Sequence, residues 1–150
     1  MSMAVINWLK FAHLLMVMMA VGGALAQFIL INRSRQSGAE AAASEKQALA
    51  VFRMLALPGL LLAFALGLGL AGVSGKFSEP WIHVKMTAVF IWLILAHMEL
   101  SGLKKMISQR AASNSNAVGK IKSRHLMIGK INLILILAIV YLAVFRLDAF

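Results

Sequence analysis

Four side chains stand where an ionisable group is costly: His13, His83, Lys85 and His97 lie inside long apolar runs or at their mouths. A charged residue at the centre of a membrane helix costs on the order of 3 kcal/mol on insertion scales, so such residues are functional candidates that face a bundle interior. Imidazole nitrogens suit haem iron, which a protein tunes through the axial ligand, the hydrogen bonds around it and burial. His83 and His97 are 14 residues apart, which on an α-helix puts them within about 40° of one azimuth and about 21 Å apart along the axis. One face carries both, and it is expected to look inward, because an imidazole turned to lipid is unsatisfied. Geometry allows His13 to partner His83 across one layer of a bundle and His125 to approach His97 across another.

Thioethers offer a second ligand chemistry. Met16, Met18 and Met19 follow His13, and Met86 and Met98 share a segment with His83 and His97; imidazole with thioether suits copper. Methionine also fills apolar cores, a histidine near a helix end also reaches interfacial water, and Lys85 either snorkels outward or pairs with a carboxylate. His125, beside Arg124, reads as an interfacial cation. Cysteine is absent, which removes disulfides, thiolate metal sites and thiol catalysis. No Walker loop, Gly-x-Ser-x-Gly elbow or His-Glu-x-x-His element occurs, so nucleotide and hydrolase chemistry have no foothold.

The elements that must hold these residues follow from composition. Hydrophobic residues make up 61% of the chain and charged ones 13%, with a mean hydropathy of +0.86, whereas a soluble domain is about a quarter charged. Spans of about 20 apolar residues with short connections use up nearly the whole chain. The expected fold is a single all-α domain, an integral membrane four-transmembrane-helix bundle with spans over about residues 6–31, 48–73, 81–103 and 127–145. Ala24-Leu25-Ala26 has the small-x-small form of a signal-peptide cleavage site, but apolar residues continue to Ile31 and the flank beyond is basic, the wrong polarity for a secretory signal. The stretch 33–47 reads as a short loop, open to helix. Pro58 and several glycines lie inside the second span, where small residues let helices approach closely. Pro80 before Trp81 suits a helix start, and residues 106–124 are expected to form a polar loop.

Of the fifteen Lys and Arg, eleven fall in or beside two connections: Arg33, Arg35, Lys46 and Arg53 at the first, and Lys104, Lys105, Arg110, Lys120, Lys122, Arg124 and Lys130 at the third. The positive-inside rule places those connections in the cytoplasm of a bacterial-type inner membrane, with both termini and the Lys76 turn on the outer, periplasmic side. The net charge of +10 therefore marks topology; no basic soluble face is left for nucleic acid. Lipid is the expected partner, and a homo-oligomer is open.

At these residues the chain resembles the HemJ-type protoporphyrinogen oxidases and the related CopD-like small membrane proteins. The resemblance covers most of the length: Leu9-Lys10-Phe11-Ala12-His13 entering the first span with Gly22-Gly23 further along, Arg53 five residues before Pro58, Trp81-Ile82-His83-Val84-Lys85 opening the third span, and His97 close to the family's later histidine. The Trp-x-His-x-Lys element is the most specific piece. The resemblance implies a haem b within the bundle, with His13 and His83 as metal ligands, Lys85 and His97 completing the cofactor site, and Lys85 and Arg53 offering positive charge to carboxylates of porphyrin or propionate. In the HemJ-type enzymes the reaction is oxidation of protoporphyrinogen IX, with electrons passing to a membrane acceptor. Their Asn-Glu pair ahead of a proline is replaced here by Met127-Ile128-Gly129-Lys130-Ile131, Val21 stands where a Trp is expected, and their Pro-Arg near the end of the first helix is missing. Fold and cofactor thus transfer better than the reaction. The expected function is a haem b-binding membrane protein with a redox role. The alternatives are CopD-like copper transport or tolerance, and a non-catalytic assembly subunit.

Overall fold

In lipid a long apolar run has no partner for its backbone but itself, and the α-helix satisfies each N–H and C=O within the run. The computed structural model describes residues 2–34 and 38–145 and contains four such helices: α1 (Met3–Arg33), α2 (Ala39–Val73), α3 (Pro80–Ala111) and α4 (Ser115–Val144). All four are long and apolar enough to cross a membrane, and no strand occurs among the described residues. The protein is a multi-pass, all-α membrane bundle. Arg35, one of the charges behind the expected topology, lies outside the described residues.

The helices outrun their apolar segments. The 32 residues of α3 reach about 48 Å, well beyond a hydrocarbon core of about 30 Å. Most of the stretch 106–124, expected as a loop, is helical: α3 continues to Ala111 and α4 begins at Ser115. Ala, Lys, Gln and Arg are good helix formers in water, so the helix does not stop where hydropathy does. The reversal is confined to residues 112–114, with Ser113 at φ 56° and the Asn114 side chain capping α4 by accepting from the Ala117 amide at 3.2 Å. The α2 helix likewise starts early, at Ala39, and an ion pair fastens its extension to that of α3: Arg110 Nε and Nη2 donate to the two oxygens of Glu45 at 2.7 and 2.6 Å. Glu45 is fully buried.

Helices adjacent in sequence pack side by side, and α1 meets α4 to close the bundle. The α1–α2 seam is the closest. A Cβ at Gly23 would lie 2.6 Å from the Ala56 backbone nitrogen, and one at Gly59 would lie 2.7 Å from that of Ala20, so both positions need glycine. The buried face is rich in alanine, around Phe52, Leu60, Trp92, Leu103 and Ile136, while large side chains such as Leu14, Met18, Leu61, Phe90, Ile134 and Leu137 point outward. Between helices in lipid, close packing replaces the hydrophobic drive, which accounts for small residues inside and large ones outside. Halfway along α2, Phe52–Ala56 form a π-helical turn, with the Leu57 amide bonded to the Phe52 carbonyl. Pro58 follows it. A proline ring crowds the carbonyl four residues back, here that of Met54, and the wider π turn takes up that crowding.

Candidate functional site

Polar side chains gather in two layers. Towards the end of the bundle that carries the N-terminus, half-buried His13 on α1 faces α2, with Nδ1 2.9 Å from the Ala63 carbonyl oxygen. A carbonyl only accepts, so the ring proton is on Nδ1 and Nε2 holds the lone pair. A Cβ at Gly67 would stand 3.1 Å from His13 Cε1, so the missing side chain gives the ring its seat. Lys85, half-buried on α3, is within electrostatic range of His13.

His83 is not brought into that group. It is exposed, and Lys85 lies two positions further on, about 200° around the helix; the His83 backbone carbonyl accepts from Thr87 Oγ1 at 2.9 Å. His97 is exposed as well. The two histidines share an azimuth as their spacing requires, but that azimuth looks outward, because the inward face of α3 is taken by Trp92, Ala96, Glu99, Leu103 and Met106. Arg53 is also exposed, within the π turn. Ten residues separate it from Ala63, about 15 Å along α2, so it stands apart from His13 and Lys85.

The second layer lies towards the basic connections and contains residues that sequence reasoning passed over. Gln27 on α1 and His125 on α4, both buried, share a bond of 2.7 Å between Nε2 atoms. About two helical turns further along α4, buried Asn132 donates Nδ2 to Glu99 Oε2 at 3.1 Å. His125, Gly129 and Asn132 are spaced i, i+4, i+7, which is one helical stripe, and lone Gln27 and Asn132 within apolar runs were the available signal. His125 is thus a buried group between helices instead of an interfacial cation. His97, Ser101, Gly102 and Lys105 of α3 and Arg124 and His125 of α4 line a cavity of about 220 Å³.

The fold and these two layers define a multi-pass helical membrane protein with histidines seated between its helices. Among the described residues no three His, Cys, Asp or Glu side chains form a metal-binding group. Compared with known proteins, the chain matches no family model, no curated protein and no solved structure.

Proposed function

We propose that the protein binds haem b in its membrane bundle and has a redox role, with His13 as the axial ligand. The observation that carries this reading is the 2.9 Å bond from His13 Nδ1 to the Ala63 carbonyl. Metal-ligating histidines almost always donate the other ring N–H to a carbonyl, carboxylate or water, which fixes tautomer and ring orientation. His13 has that arrangement and keeps Nε2 as its lone-pair nitrogen. Lys85 supplies positive charge beside it for a propionate. When bound, haem supplies a one-electron couple whose potential responds to the axial ligand, nearby hydrogen bonds and burial.

The outward placement of His83 and His97 argues for one protein ligand per subunit, not the His13–His83 pair that the family resemblance implies. A porphyrinogen substrate rests on the family resemblance alone, and the replaced Asn-Glu element weakens it. Detergent-purified full-length protein is expected to show a Soret band, with α and β bands on reduction, and to carry no stoichiometric copper by metal analysis. His13→Ala is expected to remove the haem spectrum while His83→Ala retains it. A wild-type preparation that stays colourless after haemin is added overturns the reading.

A further inference from the structure

The polar side chains that line the cavity between α3 and α4, set among Met98, Ile121 and Ile128, are all cations or hydrogen-bond donors. His97, Lys105 and Arg124 are exposed around it, Ser101 is half-buried beside them, and no acidic side chain among the described residues lines it. His125 adds a ring nitrogen, Nδ1, that no hydrogen bond among the described residues uses. An amide nitrogen only donates, so His125 Nε2 accepts from Gln27 Nε2 and the ring proton is on Nδ1. That Nδ1 is buried and has no hydrogen-bond partner among the described residues, and it lies against Gly102, where a Cβ would approach it to 3.1 Å. Gly102 is itself part of the cavity wall. A buried, unspent N–H beside a lysine, an arginine and a hydroxyl is a donor set that asks for an oxyanion.

The surroundings select the kind of oxyanion. Towards the middle of the bundle from this cavity, Phe90, Ile91 and Ile94 on α3 and Ile131 and Ile134 on α4 are exposed, so donors at one level continue into an apolar outer surface below. A soluble phosphate has no use for that surface, whereas acyl chains do. Basic pockets between transmembrane helices are a recurring way to hold the head group of an acidic lipid.

We infer that the α3–α4 cavity is a binding site for the phosphate head group of an anionic phospholipid, held by Lys105, Arg124, Ser101 and the Nδ1–H of His125. The site is at the opposite end of the bundle from His13, so loss of lipid and loss of haem are separable outcomes. Native mass spectrometry of the full-length protein in detergent tests it, with phosphatidylglycerol, phosphatidylcholine and inorganic phosphate added in turn. Wild type is expected to retain one phosphatidylglycerol in preference to phosphatidylcholine. The Lys105→Gln/Arg124→Gln variant is expected to bind it about thirty-fold more weakly, since each basic residue near a lipid surface contributes about five-fold. Lys46→Gln/Lys130→Gln, which removes two exposed charges elsewhere, is expected to leave the affinity unchanged. Equal loss in both double variants overturns the site, as does equal wild-type retention of the two lipids, a comparison that holds even where a variant does not fold. Displacement of the lipid by inorganic phosphate at equal concentration overturns the lipid assignment.

Discussion

Gln27 and His125 show one side chain fixing the proton of another across two helices. Removing the amide by Gln27→Leu leaves His125 Nε2 buried and without its 2.7 Å partner. Hydrogen bonds inside membranes average about 0.6 kcal/mol and an orphaned buried acceptor costs about 1–3 kcal/mol, so a loss of about 1 kcal/mol is expected, read as a lower Tm in detergent. The Glu45–Arg110 pair is worth more when broken from one side. Arg110→Leu strands a fully buried carboxylate and is expected to cost about 3 kcal/mol. Replacing both partners, Glu45→Leu/Arg110→Leu, is expected to recover most of that loss, because two apolar groups leave no charge unsatisfied; a chemical denaturation series on the three variants measures it. Neither partner stood out in the sequence. Glu45 lies in a polar stretch and Arg110 among other basic residues, and burial is decided by a helix 65 positions away.

At the scale of helices, the seam of α1 and α2 depends on what lies opposite each glycine. Gly59→Ala would push a methyl to 2.7 Å from the Ala20 backbone and is expected to cost about 1–3 kcal/mol, the usual range for overpacking. Gly69→Ala, where nothing stands within 4 Å, is expected to leave the Tm of the same preparation unchanged. Sequence alone places both glycines in one span and cannot tell them apart, since the difference lies in the partner helix. The same limit governs His83 and His97. A 14-residue spacing says that two side chains share a face, but which way the face looks is set by Trp92, Glu99 and Leu103 finding partners across the bundle.

For the whole molecule, the four spans were legible because bilayer thickness demands a minimum apolar length and the chain has four runs that meet it. The helical ends were not, because hydropathy reports where lipid stops while the backbone continues its hydrogen bonds in water. The placement of Lys and Arg leads to an expectation about sidedness. As native cysteine is absent, Ser78→Cys and Asn116→Cys provide unique thiols at opposite ends of the bundle. An impermeant maleimide added to intact cells stripped of their outer membrane is expected to label Ser78→Cys and spare Asn116→Cys. The reverse pattern would invert the topology.

The π turn of α2 makes that helix one residue over length. Removing Met54, which is exposed within the turn, would shorten the loop of backbone to ordinary pitch while both flanking halves keep their azimuths. It would also set the Pro58 ring against a carbonyl, so the deletion is expected to be tolerated in company with Pro58→Ala, judged by folded yield after detergent extraction. The same deletion at Leu14 in α1 would rotate everything beyond it by about 100°, carrying Gly23 off Ala56 and Gln27 off His125. Tolerance of a missing residue is therefore localised in this bundle, and α2 holds the slack.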